Sequence, residues 1–349
     1  MKRTIFFIMV IALIPGCQKE EITFSSAAHD VFYLENDKAS MPIRVHGNTA
    51  SKTFLMMIHG GPGGDAIVYR SDFVKKHVEP EFAMVYWDQR NGGASQGGVN
   101  GGNDKLEQFI EDFEKVVALL KYRYGDDISI FVNGHSWGGF LAPAFLQRGN
   151  NQQNVKGWIQ SAGAHNIPLL NQYAVEMLLD KASVEIAAGR NVSQWTEITN
   201  YCDDLTPPFT EEQGRKINEF AGLAHTLIPE LSQQGLVSFG EVFSIYQENN
   251  FPVSQMFVTY NPLHSALAMW LFQGQQLSDG MPAIDVPTLL LFGKWDFICP
   301  PKLADDIEQR VSSAYVKKVI FENSGHGLMS TADKEAYWQE VIAFVNEFK

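Results

Sequence analysis

Residues 134–138 read Gly-His-Ser-Trp-Gly, a pattern that could expose a reactive hydroxyl on Ser136. A serine oxygen can act as a nucleophile where a strand turns sharply into a helix, because small flanking residues let the backbone pack through the turn. The mostly apolar residues 128–133 predict a strand before the motif, and a helical pattern begins just after Ser136. The pentapeptide by itself also fits an ordinary glycine-rich turn, but this context favours a nucleophilic serine.

A nucleophilic serine needs a base, and His326 is the histidine best placed to be one. It lies in the Ser-Gly-His-Gly sequence of residues 324–327, directly after an apolar segment that ends at residue 321. A histidine flanked by glycines in a loop has no packing role, so we predict that His326 is the general base. The other histidines that follow the nucleophile are interpreted as core or surface residues: His165, His225 and His264.

The base in turn needs an orienting acid, and Asp296 stands where such an acid is expected. It ends the sequence Gly-Lys-Trp-Asp of residues 293–296, which follows a predicted strand over residues 288–292. Active sites of parallel sheets lie at the carboxyl ends of the strands, so Asp296 is predicted to complete a triad with Ser136 and His326. The other acids near this strand are set aside, because one precedes the strand and two suggest a solvated helix face: Asp285, Asp305 and Asp306.

Acyl transfer through a serine also requires backbone N–H groups that bind the negatively charged oxygen of the tetrahedral intermediate. One donor is expected from Trp137, the residue after the nucleophile. The second is expected from the glycine-rich residues 59–64, with Gly61 preferred and Gly60 the nearest alternative. A phosphate-binding role for this loop is not favoured because no Lys-Ser or Lys-Thr follows it. His59 is expected to hold the loop by hydrogen bonding.

The segments between these motifs predict an α/β fold. Strands that are apolar almost throughout, separated by helical patterns, are typical of a mostly parallel sheet with helices on both faces. The predicted strands cover residues 31–34, 42–45, 53–58, 82–87, 128–133, 155–160, 288–292 and 315–321. The predicted helices outside the middle of the chain cover residues 104–124, 301–311 and 333–348.

The middle of the chain has a different pattern. Strand patterns stop after residue 165, and helical segments such as 169–188 and 212–227 take their place until the strand pattern resumes. We therefore predict a core in two parts, residues 25–165 and 284–349, with a helical cap inserted over residues 166–283. Caps at this position commonly cover the site and exclude water.

The first 17 residues have the pattern of an export signal. Lys2 and Arg3 precede an apolar run over residues 5–14, which is too short for a membrane-spanning helix but suits a signal peptide. The following Pro-Gly-Cys resembles a bacterial lipobox, so Cys17 is predicted to be lipidated. This predicts a lipid-anchored protein of the bacterial cell envelope, on the periplasmic face or the cell surface. An ordinary secretory signal with an incidental cysteine is the alternative.

Composition limits the partners of the chain. The net charge is −13 and the pI is about 5.1, which argues against a nucleic-acid partner. Residues 166–283 hold 13 acidic and 4 basic residues, and such a surface could attract a cationic amino terminus or be an ordinary solvated exterior. The predicted chemistry requires no metal or organic cofactor. The two remaining cysteines, Cys202 and Cys299, are interpreted as buried thiols rather than a disulfide or a zinc site.

Taken together, the motifs resemble those of proline iminopeptidases, also called prolyl aminopeptidases, which are serine hydrolases of the α/β-hydrolase fold. The resemblance implies hydrolysis of an N-terminal proline from a small peptide by the triad and oxyanion donors named above. Three features differ from the family pattern and concern substrate choice: Asn91 and His135 replace glycines, and a tryptophan-rich cap helix is not evident. The segments that carry the resemblance are residues 59–63, 88–90, 136–138, 293–296, 299–300 and 324–326.

Two alternative functions follow from the same residues. One is an esterase or amidase that acts on a neutral acyl substrate with the same triad. The other is a surface lipoprotein that binds peptides or carbohydrate without catalysis. Epoxide hydrolases and dehalogenases of this fold use Asp where Ser136 stands, so the serine argues against both.

Overall fold

The computed structural model describes residues 22–97, 105–232, 239–249 and 274–349. The predicted signal segment with Cys17 lies outside these ranges, as does His264. No helix within them is both long and apolar enough to cross a membrane.

A nine-stranded, mostly parallel sheet forms the centre of the molecule. The first two strands are an antiparallel hairpin at one edge, and every pair from β4 onward across the sheet is parallel. The order across the sheet is β1-β2-β4-β3-β6-β7-β8-β9, with the short β5 paired to β2. The strands are β1 Ala28–Asn36, β2 Ala39–Gly47, β3 Thr53–Ile58, β4 Ala83–Trp87, β5 Gln96–Gly97, β6 Ser129–His135, β7 Gly157–Ser161, β8 Thr288–Gly293 and β9 Val316–Phe321.

Helices cover both faces of this sheet, which is why its central strands are buried and mostly apolar. All residues of β3, β4, β7 and β8 are buried. One apolar layer packs α2 and α3 against the sheet, and a second layer packs α1 and α10 against the other face. The core helices are α1 Asp72–His77, α2 Leu106–Tyr124, α3 Gly138–Leu146, α9 Leu303–Arg310 and α10 Lys334–Phe348.

In the described residues between β7 and β8, where the sequence predicts the cap, there are five further helices. The first three build an apolar cluster of their own, in which Leu178, Trp195 and Phe220 are buried together with Phe297 from the loop after β8. The cluster therefore joins these helices to the loop that carries Asp296. The helices are α4 Ile167–Ala187, α5 Val192–Cys202, α6 Glu211–Leu227, α7 Pro229–Ser232 and α8 Phe239–Glu248. The limits of the cap at residues 166 and 283 stay a prediction.

Candidate active site

Ser136 stands at a sharp turn between β6 and α3. Its φ is +56°, a left-handed backbone conformation that residues other than glycine adopt only at a cost in free energy. The neighbouring glycines make the turn possible, since a Cβ on Gly138 would overlap the carbonyl oxygen of Ile58 and one on Gly134 would overlap that of Gly138. Gly138 thus lies too close to the end of β3, and Gly134 too close to the first turn of α3, for either position to hold a side chain.

Asp296 and His326 form a hydrogen-bonded pair. His326 Nδ1 lies 2.9 Å from Asp296 Oδ2, with the carboxylate fully buried and the imidazole one-fifth exposed. Asp296 Oδ1 accepts the backbone N–H groups of Ile298 at 3.0 Å and Cys299 at 2.8 Å. Because both carboxylate oxygens have partners, the acid is fixed in place. It accepts the proton on His326 Nδ1, which leaves Nε2 as the basic nitrogen.

The loops of the three predicted triad residues meet at the carboxyl edge of the sheet. His135, directly before Ser136, has its Nε2 2.9 Å from the backbone oxygen of His326, and the two imidazole rings are 5.0 Å apart. Gly293 at the end of β8 packs so closely on the backbone of Ser324 and Gly325 that a Cβ would not fit. The structure therefore brings together the three segments that the sequence singles out.

The glycine-rich loop after β3 lies against the nucleophile. A Cβ on Gly60 would be 3.0 Å from the Cβ of Ser136. The Gly60 N–H donates to Tyr69 Oη at 3.2 Å, so this donor already has an acceptor. Gly61 follows with a φ of +127° and a cis bond to Pro62. This occupied Gly60 N–H favours Gly61 over Gly60 as oxyanion donor, while Trp137 remains the expected second donor at the start of α3.

Gln89 links this loop to the elbow. Its backbone N–H donates to His59 Nε2 and its side-chain amide donates to His59 O, both at 3.0 Å. Its Oε1 accepts the indole N–H of Trp137 at 2.9 Å. His59 is fully buried, burial lowers its pKa, and its Nδ1 donates to Gly60 O at 2.8 Å. His59 therefore holds the loop as a neutral hydrogen-bonding side chain, as the sequence analysis expects.

The residues on either side of Gln89 fix the same region by charge. Asp88 accepts hydrogen bonds from the Arg44 guanidinium and from the backbone N–H groups of Ala66 and Ala94, each at 2.9 Å. Arg90 forms a fully buried ion pair with the carboxylate of Asp112 in α2. Asp88 and Arg90 thus tie the loop after β4 to β2, to the loop after β3 and to α2.

One expectation about the acids is wrong. Asp306 does not face solvent, since its side chain is nine-tenths buried and accepts hydrogen bonds from His165 at 2.8 Å and Ser278 at 2.6 Å. Burial alone would raise the pKa of Asp306, but the bonds to His165, Ser278 and Arg310 outweigh it and hold the pKa below its usual value. The sequence shows that Asp306 lies on a charged helix face, but it does not show that His165 packs onto this face.

The other histidine and the two cysteines that the sequence singles out are packed into the fold. His225 in α6 is part of the cap and packs against Gly325 in the loop of His326. Cys202 and Cys299 are both free and buried. Within the described ranges, no three His, Cys, Asp or Glu side chains are grouped so that they could hold a metal ion.

The acidic side chains of the cap helices that the structure describes do not contact the triad. Glu185 is buried between Lys181 and Arg190, and Glu176 pairs with Lys302 on the core. Glu248 pairs with Lys75, while the others are largely exposed. Among the described cap residues, no carboxylate thus forms an ion pair or a hydrogen bond with the triad.

The sheet, the elbow and the buried acid–histidine pair define a serine hydrolase of the α/β-hydrolase fold. The chain belongs to the serine aminopeptidase family S33, whose family model matches residues 49–333.

Several similar proteins are named as aminopeptidases or proline iminopeptidases, at low sequence identity. The chain is similar to a probable aminopeptidase of Bacillus subtilis, 25% identical over 81% of this chain and 86% of that protein. It is also similar to a proline iminopeptidase of Flavobacterium johnsoniae, 24% identical over 86% of this chain and 91% of that protein.

Solved structures with the same fold include peptidases and esterases. A proline iminopeptidase of Mycobacterium smegmatis superposes with a TM-score of 0.64 at 15% identity, covering 91% of this chain and 98% of that one. An esterase of Exiguobacterium antarcticum superposes with a TM-score of 0.57 at 19% identity, covering 93% and 99%. At these identities the likeness supports the fold alone.

Proposed function

We propose that this protein is an aminopeptidase that releases an N-terminal proline, or a similar small residue, from peptides through an acyl-enzyme on Ser136. The observation that carries the proposal is the 2.9 Å hydrogen bond from His326 to the buried Asp296, at the same edge of the sheet as Ser136. Such a pair orients a histidine as general base. Membership of the serine aminopeptidase family supports the peptide substrate.

In the proposed mechanism, His326 Nε2 takes the proton of Ser136 as its oxygen attacks the carbonyl carbon of the first residue. The N–H groups of Gly61 and Trp137 stabilise the oxyanion, and His326 then protonates the leaving amine. Water, activated by the same imidazole, hydrolyses the acyl-enzyme. Asp296 holds the imidazole in one tautomer throughout.

A second candidate is an esterase or amidase that acts on a neutral acyl group. It is favoured by the cap carboxylates, because those that the structure describes are paired with cations or exposed. A substrate without a free amine needs no carboxylate partner.

The two candidates are separated by the rates on proline anilide, on its N-acetylated twin and on a short acyl ester. Fast cleavage of the free-amine anilide alone is the result we expect. Ester cleavage that is indifferent to the amine would establish the second candidate. Labelling by a fluorophosphonate probe, lost in Ser136→Ala, tests the nucleophile in either case, and an unlabelled wild type would contradict the catalytic proposal.

We further propose that the protein is anchored in the bacterial cell envelope by a lipid on Cys17. The proposal rests on the sequence of residues 1–17. In cells, Cys17→Ser should move the protein from the membrane fraction to the soluble fraction. An unchanged distribution would contradict lipidation at this residue.

A further inference from the structure

His135 stands between the nucleophile and the base, in an elbow position that the proposed mechanism does not use. Its imidazole is partly buried, with Nδ1 2.8 Å from Tyr69 Oη and Nε2 2.9 Å from the backbone oxygen of His326. Tyr69 Oη is in turn 3.2 Å from the Gly60 nitrogen. A continuous hydrogen-bonded path thus connects the oxyanion loop to the loop of the base.

The chemistry of the end groups fixes the direction of every bond on this path. The His326 carbonyl can only accept, so His135 Nε2 carries the proton and Nδ1 is an acceptor. Tyr69 therefore donates its hydroxyl proton to His135 Nδ1 and accepts the Gly60 N–H with its oxygen. Burial lowers the pKa of His135 to about 4, which keeps this single neutral tautomer at neutral pH.

We propose that His135 and Tyr69 are positioning residues. Together they hold the backbone of His326 and the Gly60–Gly61 loop at the correct distance and orientation from Ser136. This inference rests on the proposed nucleophile and base. The path acts at two ends: the His135 Nε2–H restrains the carbonyl of the base, while Tyr69 restrains the loop that carries the oxyanion donor. It also occupies the Gly60 N–H, which leaves the next residue, Gly61, to bind the oxyanion.

Two substitutions of His135 separate its contact with the His326 carbonyl from its contact with Tyr69. In Asn, the amide lies near the place of Nδ1, so His135→Asn keeps a partner for Tyr69 but loses the donor to the His326 carbonyl. In Gln, the amide nitrogen lies near the place of Nε2, so His135→Gln keeps that donor. Tyr69→Phe removes the hydroxyl that joins Gly60 to His135. His46→Asn is the matched control, because His46 is a buried histidine on β2 with a histidine partner, His29, outside the path.

The experiment measures the fluorophosphonate labelling rate and, on a cleaved substrate, kcat and KM per labelled site. A displaced base or donor costs up to about 100-fold in rate, and we expect His135→Asn to lose rate on that scale with little change in KM. His135→Gln should recover most of the rate, and Tyr69→Phe should lose an intermediate amount. His46→Asn should lower the melting temperature while the rate per labelled site stays that of the wild type.

A second readout does not depend on substrate. The proton on His326 Nδ1, bound to Asp296, should give a downfield proton NMR signal that shifts or broadens in His135→Asn and returns in His135→Gln. An unchanged signal and labelling rate in His135→Asn would overturn the positioning role. A wild type that is not labelled would contradict the nucleophile instead, and the NMR comparison would still decide whether His135 positions His326.

Discussion

At the scale of single residues, the acid of the site is held by its surroundings before any substrate arrives. Asp296 Oδ1 accepts two backbone N–H groups, from Ile298 and Cys299, and Oδ2 accepts from His326. Since these two donors lie only two and three residues after Asp296, the tight turn after β8 aims the carboxylate by itself. The orientation of the acid is therefore encoded locally.

Replacing the Asp296 carboxylate by an amide tests whether this side chain orients His326. In Asp296→Asn, the amide can donate toward Nδ1 and so favour the wrong tautomer of His326, and we expect kcat to fall about 10⁴-fold. KM should change little, because Asp296 is buried behind the imidazole. The measurement is steady-state kinetics on the best of the three test substrates.

The control for this change is Asp306→Asn, since Asp306 also binds a buried histidine but lies on α9. It should destabilise the protein, because His165 loses a charged partner, yet keep kcat within about twofold. An equal loss of kcat in both variants would mean that Asp296 acts only through stability.

The elbow glycines should be intolerant of even one carbon atom. A Cβ on Gly138 would overlap the Ile58 carbonyl, and such overpacking typically costs about 1–3 kcal/mol in the free energy of unfolding. We expect Gly138→Ala to lose at least that much, measured by urea unfolding, together with fluorophosphonate labelling of Ser136.

Gly222 on the cap helix α6 is the matched control, because a Cβ there would meet no atom within 4 Å. Gly222→Ala should be neutral or stabilise by up to about 1 kcal/mol, since alanine favours a helix. A comparable loss in the free energy of unfolding for both substitutions would contradict a steric origin of the effect at Gly138.

At the scale of elements, the sequence predicts the strands better than it predicts the side-chain contacts between distant segments. Residues 53–58 form β3 with the predicted bounds, and 288–292 differs from β8 by one residue, because buried parallel strands are uniformly apolar. The edge strand over 31–34 is longer in the structure, since pairing with β2 continues into the mostly polar residues on either side of the apolar run. Ser136 and Asp296 can also be predicted from the sequence, because each stands just after the carboxyl end of a predicted strand.

Other site residues could not be predicted, because their roles depend on contacts between distant segments. Tyr69 meets His135 from 66 positions away, and nothing in its own neighbourhood marks it. Gln89 lies in a motif that the resemblance picks out, but only the fold shows that it joins His59 to Trp137. The partner of Asp306 was missed for the same reason.

The cap helix α8 is attached to the oxyanion loop through a buried carboxyl group. Asp65, six residues after His59, accepts a hydrogen bond from the Tyr246 hydroxyl at 2.5 Å and from the Val68 N–H at 3.0 Å. Burial, together with the nearby Asp88, raises the pKa of Asp65 to about 7, although Tyr246, Val68 and Arg44 partly oppose the shift.

This raised pKa should make the stability of the protein depend on pH. Between the ordinary carboxyl pKa of 3.8 and about 7, the folded protein keeps a proton that the unfolded chain releases, so stability falls as pH rises through that window. Asp65→Asn removes the charge, and its free energy of unfolding relative to the wild type should rise by about 1–3 kcal/mol from pH 4 to pH 8. Urea unfolding at several pH values measures this difference.

Tyr246→Phe provides the comparison, because it removes a hydrogen-bond donor and leaves the carboxyl group. Its difference from the wild type should not show the same rise with pH. A constant difference between Asp65→Asn and the wild type across the window would contradict a raised pKa in the folded protein.

At the scale of the whole molecule, charge is concentrated on the helices between β7 and β8. Residues 166–283 contribute −9 of the total −13. Exposed carboxylates such as Glu197 and Glu211 add to a negative field without forming a specific site. In the proposed aminopeptidase, this field would draw in a substrate that carries a free ammonium group, even where no single carboxylate binds it.

Salt separates such long-range attraction from contact with one buried acid. The Debye length shortens from about 30 Å at 0.01 M to about 3 Å at 1 M, so the attraction should vanish while a buried pair persists. We expect kcat/KM for a free-amine anilide to fall several-fold over this range while a neutral ester is unaffected. Neutralising exposed cap residues, as in Glu197→Gln with Glu211→Gln, should flatten the dependence. A salt-independent rate with a strict amine requirement would instead place the ammonium group against a shielded carboxylate.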